Sequence, residues 1–460
     1  MTAAVSPVSL SGASRVVEAA SLAADVAVIG AGPAGIAAAV RAAESGRRVI
    51  VVDESPNAGG QIWRHRARAP LDTDARRWID RLSRSGAEVH HGISVADIVH
   101  AGTDGGFAIV GERHVGGAVV VTAANVVIAT GARERFVPFP GWTLPGVYGI
   151  GGAQALLKNG ATFRGKRVVI AGTGPLILPV AASMSSAGAD VRLVAEQASF
   201  SAVRNFALTL LSQPDTLLQA AMYRLAFART PYAMGSWVTA AAGTDRLTSV
   251  TVTDGRSTHT IACDVLCTGY GLVPNVEAAR LLGCTVVAGA AVVDGRQQTT
   301  VANVFAAGEV TGIGGVALSL VEGEIAGACA AGAARPDMRL ARRRSALRDM
   351  AARMDRAFSV RAEIRSLATA DTIVCRCEDV PRGAIGHLRD ARQAKLYTRA
   401  GMGACQGRVC GPALEFLYGW APGTVRVPLE PVRLSTVAAS ASLLTSSPTP
   451  SATAPSPSGS

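Results

Sequence analysis

The chain has 460 residues, of which 49% are hydrophobic, and a formal net charge of +11. This length suits two or three domains. Aromatic residues make up only 5% of the chain and do not alternate with the basic residues, which argues against nucleic-acid binding. No apolar run reaches the ~20 residues that a membrane-spanning helix needs, so we expect no transmembrane segment.

The N-terminal segment, residues 1–24, is rich in Ser and Ala and predicts a flexible leader. It lacks a basic stretch followed by an apolar core, so we expect no secretory signal. The chain's eight cysteines do not have the spread pattern of a disulfide framework. These features favour a cytoplasmic protein.

Residues 25–53 predict a strand, a glycine-rich turn, a helix and a second strand. In the motif G-x-G-x-x-G, Gly30 makes the tight turn, Gly32 lets a pyrophosphate approach the backbone and Gly35 lets the helix pack on the strand. Asp53 ends the second strand, where a carboxylate can bind ribose hydroxyls. The candidate dinucleotide-binding residues of this unit are Gly30, Gly32, Pro33, Ala34, Gly35, Asp53 and Glu54.

Two later segments add candidate residues to the same site. The stretch ESPNAGGQIW contains Gly60 and Gln61, and its glycines allow the backbone to approach a flat group; a plain surface loop is the alternative. The stretch NVVIATG predicts a buried strand that ends at Thr130 and Gly131. In flavoproteins with two dinucleotide domains, such a strand leads the chain out of the first domain.

Residues 166–191 repeat the opening pattern, with a strand, the turn Gly172-Thr173-Gly174 and a helix. Ile177 occupies the third glycine position, and its branched side chain disfavours close packing of the helix on the strand. This second site is therefore expected either to be degenerate or to bind a nucleotide in another pose. Glu196 would oppose a 2′-phosphate, so NAD is favoured over NADP if either binds.

Residues 300–327 predict a strand followed by a helix that begins after Gly315. Gly308 and Glu309 lie between them, so a carboxylate and a helix N-terminus are expected near the bound cofactor. Many flavoproteins have an aspartate at the position of Glu309, where it binds the ribityl chain.

Four cysteines lie close together in the C-terminal part, with the spacing C-x-C-x27-C-x4-C: Cys375, Cys377, Cys405 and Cys410. Four thiolates suit either a structural zinc or a [2Fe–2S] cluster. The C-x-C spacing is tighter than zinc fingers prefer, and nearby glycines would let backbone N–H groups face the sulfurs. We therefore favour the cluster, with zinc and free thiols as alternatives.

The motifs between residues 25 and 431 resemble the alpha subunits of bacterial heteromeric flavin-dependent amine dehydrogenases, which include opine oxidases, D-hydroxyproline dehydrogenases and hydrogen cyanide synthase. The matching stretches are DVAVIGAGPAG, GGQIW, TGARERFVPFPGWTLPGV, AGTGPL, CTGYGLVPN, FAAGEVTGIGG, VCRCEDV and GMGACQGRVCGP. The main body is similar to pyridine nucleotide-disulfide oxidoreductases. The cysteine segment is similar to bacterioferritin-associated ferredoxin, in which the second cysteine pair is usually closer together.

This resemblance implies an α/β fold with two nested Rossmann-like dinucleotide-binding domains and a small C-terminal [2Fe–2S] domain. The predicted organisation in chain order is a leader (1–24), an FAD-binding domain (25–145 and 271–334) that encloses a second dinucleotide-binding-like domain (146–270), a helical linker (335–370), a [2Fe–2S]-binding domain (371–433) and a disordered tail (434–460).

The resemblance also implies cofactors and partners. FAD would bind at the first glycine turn and a [2Fe–2S] cluster at the four cysteines, whereas the second turn is left open between NAD, another nucleotide and no ligand; some relatives add FMN at a subunit interface. The implied partners are a beta subunit with a D-amino-acid-oxidase-like fold, in some cases a small gamma subunit, and an acceptor of the respiratory chain. Such an acceptor would place the protein peripherally at the inner membrane.

The expected function is that of an electron-transferring alpha subunit of a dehydrogenase acting on CH–NH or CH–NH₂ donors of the opine, D-hydroxyproline or glycine class. The sequence contains no pattern of substrate-catalytic residues that we can identify, and we expect these on the beta subunit. One alternative is a self-sufficient NAD(P)H-dependent FAD/[2Fe–2S] reductase. Another is a non-catalytic iron–sulfur protein for docking or sensing.

Overall fold

The computed structural model describes residues 20–64, 73–101, 105–421 and 423–446, and its first sheet surrounds the strand that leads into the first glycine turn. The first elements are β1 (Ala20–Ile29), α1 (Pro33–Glu44), β2 (Val49–Asp53), α2 (Thr73–Arg84), β3 (Glu88–His91), β4 (Ile93–Ala101), β5 (Gly106–Arg113) and β6 (Ala118–Ile128). The strand order is β3-β2-β1-β6-β5-β4. Because β1 is parallel to both β2 and β6 and covered on both faces, its second half is a continuous buried apolar run.

The chain then enters a second parallel sheet. This part of the chain contains β7 (Ala132–Glu134), β8 (Val147–Gly149), α3 (Ile150–Lys158), β9 (Arg167–Gly172), α4 (Ile177–Ser186), β10 (Asp190–Glu196), α5 (Phe200–Thr209), α6 (Pro214–Ala226), β11 (Tyr232–Met234), β12 (Trp237–Ala242), β13 (Ser249–Thr253), β14 (Thr258–Ala262) and β15 (Val265–Gly269). The strand order is β11-β10-β9-β15-β8, and β12, β13 and β14 form a separate antiparallel sheet. The repeated sequence unit therefore forms a second βαβ fold.

The next segment returns to the first sheet. It contains β16 (Leu272–Pro274), α7 (Glu277–Leu281), β17 (Val286–Val287), β18 (Ala290–Ala291), β19 (Val304–Ala306) and α8 (Gly315–Ala330). β19 pairs in parallel with β6, with Val304 beside Val126. The second sheet is thus inserted between parts of the first, which confirms the predicted α/β architecture with Rossmann-like units.

Helices α1 and α8 pack so closely that the backbone of one contacts the backbone of the other. A Cβ atom added to Gly323 would lie 2.2 Å from the carbonyl oxygen of Ala34, and one added to Gly327 would lie 2.2 Å from that of Ala38. Larger side chains would separate the two helices. Small residues in both helices therefore hold α8, and the turn that precedes it, against the helix of the first glycine motif.

The C-terminal elements are α9 (Met338–Ala357), β20 (Ile373–Cys375), β21 (Val380–Pro381), α10 (Arg382–Ile385), α11 (Ala391–Thr398), α12 (Cys410–Tyr418) and α13 (Leu434–Ser446). Leu340 and Leu347 of α9 pack against the core of the first sheet, so this helix lies on the main body. Residues 373–420 have a small core of their own, which includes Val374, Ile385 and Leu414. Among the described residues, no helix is both long and apolar enough to cross a membrane.

The structure differs from the sequence-based prediction at both ends. Residues 20–24, predicted as part of a flexible leader, belong to β1, where Leu22 lies beside Val121 of β6. Residues 434–446, predicted as disordered, form α13, whose Thr436 and Ser440 are buried. Their hydroxyls donate to Glu112 and Asp97, and these contacts explain why a Ser- and Thr-rich segment is ordered. The rest of the predicted leader and tail, residues 1–19 and 447–460, lies outside the described part of the chain.

The ion pair that fixes α9 on α8 gives a stability prediction. Glu322 is fully buried and accepts from both Nε and Nη2 of Arg348, at 2.9 and 2.7 Å. Arg348→Ala would leave a buried carboxylate without its cation. We expect the free energy of unfolding to fall by about 2 kcal/mol in denaturant titrations of the apoprotein. The loss is smaller than for a fully buried ion pair because Arg348 is itself partly exposed. Arg343→Ala, an exposed position on the same helix, should change it by less than about 0.5 kcal/mol; equal losses in both variants would contradict the prediction.

Candidate functional site

The first glycine turn lies between β1 and α1 and is partly open to solvent at Gly32 and Pro33. Gly30 has φ +104°, and a Cβ there would lie 2.4 Å from the carbonyl oxygen of Ala129. A Cβ on Gly35 would lie 1.8 Å from the carbonyl oxygen of Gly30. These two glycines are therefore required by the fold, whereas Gly32 has free space around it, with only the Cα of Gly60 within 4 Å.

Asp53 lies beside this turn at the end of β2. Its Oδ2 accepts from the backbone N–H of Ala31 at 2.5 Å, and its Oδ1 accepts from that of Ser55 at 2.7 Å. Each carboxylate oxygen has a second lone pair, so Asp53 can hold the turn and accept from a ribose hydroxyl as well. Glu54 is exposed beside it.

The loop that carries Gly60 and Gln61 packs directly on the glycine turn. A Cβ on Gly60 would lie 2.9 Å from the Cα of Gly32, and the N–H of Gly59 donates to Ala31 at 2.8 Å. The side chain of Gln61 is exposed. The backbone of the glycine turn and that of the loop at residues 59–60 thus lie side by side and form one small surface.

Two further predicted residues, Thr130 and Gly131, follow β6 and are partly exposed. The hydroxyl of Thr130 donates to the carbonyl of Asn275 at 2.6 Å, and the Asn275 amide donates back to the Thr130 carbonyl at 2.9 Å. This reciprocal pair joins the two chain segments that cross between the sheets.

Gly308 and Glu309 lie next to the helix of the first glycine motif. A Cβ on Gly308 would lie 2.7 Å from the Cβ of Ala34. One carboxylate oxygen of Glu309, Oε1, accepts from the N–H of Gly315 at 2.8 Å. The other, Oε2, is buried and has no hydrogen-bond partner among the described residues. A buried unpaired acceptor costs free energy unless a ligand donates to it, and a ribityl hydroxyl is such a donor.

This buried carboxylate should make the stability of the apoprotein depend on pH. Burial raises the pKa of Glu309, so the folded state holds the proton more tightly than the unfolded state does. Ionisation therefore destabilises the fold as pH rises above the ordinary glutamate value of about 4.3. We expect Glu309→Gln to be more stable than the wild type by about 1 kcal/mol at pH 7, and this difference to vanish below about pH 4.

Thermal unfolding of the flavin-free protein between acidic and neutral pH measures this effect. Asp349→Asn, at an exposed position on α9, is the control and should show no such pH-dependent difference. A Glu309→Gln variant that is less stable than the wild type at pH 7 would contradict the prediction.

The four C-terminal cysteines form a chain of pairwise side-chain contacts in the small module. Side-chain contacts join Cys375 to Cys410, Cys410 to Cys405, and Cys405 to Cys377. Cys375 and Cys410 are buried, and Cys377 is exposed. The hydrogen bond from Cys410 lowers the pKa of Cys405 to about 4 and that of Cys375 to about 6. The same contacts raise the pKa of Cys410, and the side chain of Cys405 raises that of Cys377. Two of the four sulfurs, Cys375 and Cys405, therefore favour the thiolate, the form that binds metals.

Glycines bring backbone close to these sulfurs. The N–H of Gly401 donates to Sγ of Cys375 at 3.5 Å, and a Cβ on Gly403 would lie 2.3 Å from the Cβ of Cys377. Among the described residues, no three His, Cys, Asp or Glu side chains converge as a site for a single metal ion would require. In a [2Fe–2S] cluster each iron takes only two protein thiolates.

The module contacts the main body through residues that the sequence analysis did not single out. Nε of Arg133 donates to the carbonyl of Arg408 at 3.1 Å, and Arg408 lies between Cys405 and Cys410. Nη1 of Arg133 also donates to Asn275 at 2.7 Å. The indole N–H of Trp142 donates to Ile373 at 2.6 Å. The sequence signal was Arg133 in the stretch TGARERF, two residues after Gly131.

The second glycine turn is buried, in contrast to the first. Gly172, Thr173 and Gly174 are all buried, and the carboxylate of Glu196 is fully buried. Ile177, predicted to disturb close packing, is accommodated because α4 begins at this residue, five positions after Gly172, whereas α1 begins three positions after Gly30. The N-terminus of α4 is thus set back from the turn.

The comparisons with known proteins agree with this architecture. The family described as "Pyridine nucleotide-disulphide oxidoreductase" matches residues 24–333. The opine oxidase A subunit of Rhizobium meliloti (strain 1021) is 34% identical, over 90% of this chain and 98% of that protein. Hydrogen cyanide synthase subunit HcnB of Pseudomonas aeruginosa is 32% identical, over 83% of this chain and 90% of that protein.

A solved structure extends the likeness of fold beyond the matched family region. L-proline dehydrogenase from P. horikoshii has a TM-score of 0.65 and 19% sequence identity, and the match covers 91% of this chain and 80% of that one. At this identity the likeness concerns the fold alone. From the match of sequence and the two glycine turns, the chain belongs to the pyridine nucleotide-disulphide oxidoreductase family of flavin oxidoreductases and is homologous to opine oxidase A subunits and to HcnB.

Proposed function

We propose that the chain is the electron-transferring alpha subunit of a heteromeric dehydrogenase that oxidises C–N bonds of amino or imino acids, of the opine, D-hydroxyproline or glycine class. Both relatives reported above are named as subunits of larger enzymes, and their names refer to opine oxidation and hydrogen cyanide synthesis. The partner that this proposal requires is a beta subunit carrying the substrate site; the proposal also allows a small gamma subunit and an FMN at the subunit interface. Electrons would leave toward a respiratory acceptor.

FAD fits the first turn because this turn is open where the pyrophosphate must approach. The residues that would hold it are Gly30, Gly32, Pro33, Ala34, Gly35, Asp53, Glu54, Gly60, Gln61, Thr130, Gly131, Gly308 and Glu309. In this assignment the turn binds phosphate through backbone N–H groups at the start of α1. Asp53 accepts from the ribose, and the unpaired oxygen of Glu309 accepts from the ribityl chain.

A [2Fe–2S] cluster fits the four cysteines because their side chains form one contact network, in which the thiol pKa is lowered for Cys375 and Cys405 and raised for Cys377 and Cys410. Cys375, Cys377, Cys405 and Cys410 would supply the thiolates. When bound, FAD supplies two-electron chemistry and the cluster one-electron chemistry. The protein's part is to hold both groups in place and to keep water from the buried sulfurs of Cys375 and Cys410.

The observation that carries the proposal is the hydrogen bond between Arg133 and the carbonyl of Arg408. It joins the loop between the last two cysteines to the strand that begins directly after Thr130 and Gly131. This bond supports a short separation between the proposed cluster and the proposed flavin, because it brings the loop of Cys405 and Cys410 to the strand next to Thr130 and Gly131. A sensor or docking protein would not need this proximity.

The test is the visible spectrum of the full chain purified without oxygen, together with its electron paramagnetic resonance after reduction. We expect flavin absorption, a reduced [2Fe–2S] signal, and co-purification with a second flavoprotein when the genes are expressed together. A colourless protein would overturn the proposal in favour of a docking role. Rapid bleaching of the flavin by NADH in the isolated chain would favour the self-sufficient reductase instead.

A further inference from the structure

The second glycine turn retains the carboxylate arrangement of the first. Glu196 accepts from the N–H of Gly174 at 2.9 Å and from that of Ala198 at 2.8 Å. Asp53 makes the equivalent pair of bonds in the first unit, to the turn and to the residue two positions after itself. The second domain thus retains the turn of a dinucleotide-binding unit, and a different feature must explain why that turn is buried.

That feature is a short segment of the same chain, residues 358–361, which we call the strap. The hydroxyl of Thr173 donates to the carbonyl of Phe358 at 3.1 Å. A Cβ on Gly174 would lie 3.9 Å from the Phe358 side chain. The strap follows α9 directly and runs across the turn in the place where the first unit is open.

Gln197, the residue directly after β10, fixes the strap through side-chain hydrogen bonds. Its Nε2 donates to the carbonyl of Ser359 at 2.9 Å and to the hydroxyl of Thr173 at 2.8 Å. Its Oε1 accepts from the backbone N–H of Arg361 at 2.9 Å. Gln197 is fully buried, so these bonds are formed away from water and losing them would leave polar groups unpaired.

The strap is also anchored at both ends. The ring of Phe358 packs edge-on against Phe206, with centroids 5.3 Å apart. The guanidinium of Arg361 lies 4.4 Å from the ring centroid of Trp237. Ile364, three residues further along, is fully buried in a cluster with Trp237. A ligand at the turn would have to displace the strap, which these contacts hold in place.

In dinucleotide-binding folds the pyrophosphate lies at the glycine turn and the adenosine ribose lies beside the acid at the end of the second strand. Here the strap contacts the turn at Thr173 and is bonded to Gln197, the residue next to the acid Glu196. We propose that residues 358–361 are a built-in occupant of the second nucleotide pocket, so that this domain excludes NAD(P)H and serves to position the C-terminal module. This inference concerns the second turn alone and does not depend on the proposed function.

Hydrogen–deuterium exchange of the full chain with and without NADH or NADPH tests the exclusion. We expect no change in exchange of peptides covering residues 172–174 and 358–361 at millimolar nucleotide. A nucleotide-dependent change in these peptides would overturn the inference. A nucleotide-dependent change in exchange that is confined to residues 30–35 would mean that NAD(P)H binds at the first turn, which would contradict FAD there. It would still support exclusion of nucleotide from the second turn. The experiment therefore distinguishes failure of this inference from failure of the proposed function.

A variant tests whether the strap is held as the structure shows. Gln197→Ala removes the bonds to Ser359 and Arg361, and we expect exchange in peptides covering residues 358–361 to become at least about fivefold faster. Gln219→Ala, at an exposed position on α6, should leave it unchanged. Unchanged exchange in Gln197→Ala would overturn the inference. If that variant does not fold, Thr173→Val, which keeps the shape and removes only the hydroxyl, should give a smaller increase in the same peptides.

Discussion

Gly32→Ala is expected to weaken flavin binding by at least about tenfold while leaving the fold intact. Gly32 has φ −74° and ψ −178°, a conformation that any residue adopts. Its added Cβ would meet only the Cα of Gly60, at 3.9 Å, which is an ordinary contact. The methyl group would therefore cost the fold little. It would occupy the space through which a pyrophosphate reaches the backbone, and a tenfold loss corresponds to about 1.4 kcal/mol of binding.

Two matched glycine variants separate this effect from general damage. Gly35→Ala would place its Cβ 1.8 Å from a backbone oxygen, so we expect a destabilised protein in which flavin loss and unfolding occur together. Gly423→Ala, at an exposed site with nothing within 4 Å, should affect neither property. The measurements are the flavin-to-protein ratio, the dissociation constant for added FAD and the unfolding midpoint. Full flavin occupancy in Gly32→Ala would show that the cofactor does not bind at this turn.

The two glycine turns could be predicted from the sequence because their geometry is decided locally. Gly30 has φ +104°, which favours glycine, and Gly35 packs against the carbonyl oxygen of Gly30, five residues earlier. The buried apolar strands on either side follow from the same short stretch. A local pattern of this kind is visible without knowledge of the rest of the fold.

The accessibility of the turns could not be predicted in the same way. Whether a turn is open depends on what packs over it, and the strap residue Phe358 is 185 positions from Thr173 in the sequence. Nothing in the local pattern at residues 172–174 signals this contact. The branched residue Ile177 predicted a degenerate site; the contact with the strap, which bonds to Thr173 and lies against Gly174, has no such local signal.

The C-terminal helix α13 illustrates a related limit. Its composition is that of a disordered tail, since Ser and Thr have few apolar atoms to bury. The order comes from two acidic partners on the first sheet, Glu112 and Asp97, which accept from Thr436 and Ser440. Arg433 adds a charged pair with Glu112 at 2.8 Å just before the helix. Composition alone does not reveal partners that lie so far away in the sequence.

Cys405→Ser should remove the proposed cluster and leave the flavin in place. Cys405 contacts both Cys410 and Cys377, so it is a central member of the four-cysteine network. A serine hydroxyl is a poor substitute for a thiolate ligand, since iron–sulfur clusters are held by thiolates. We expect the iron content to fall from about two atoms per chain to near zero, with loss of the resonance signal. Flavin content should not change, because no candidate flavin residue is altered.

The control for this experiment is Cys284→Ser. Cys284 is also buried, but its Sγ–H already donates to the hydroxyl of Thr299 at 3.3 Å, a role that a serine can take over. It should keep both the iron and the flavin, which separates loss of a ligand from the general effect of replacing a buried thiol.

One zinc per chain in the wild type would contradict the cluster assignment, as would an iron signal that persists in Cys405→Ser. The loop between Cys405 and Cys410 is bonded to Arg133, so Cys405→Ser also tests whether the C-terminal module stays on the main body without its metal. If residues 133–135 remain protected from hydrogen exchange in this variant, protein contacts alone hold the module beside the proposed flavin site.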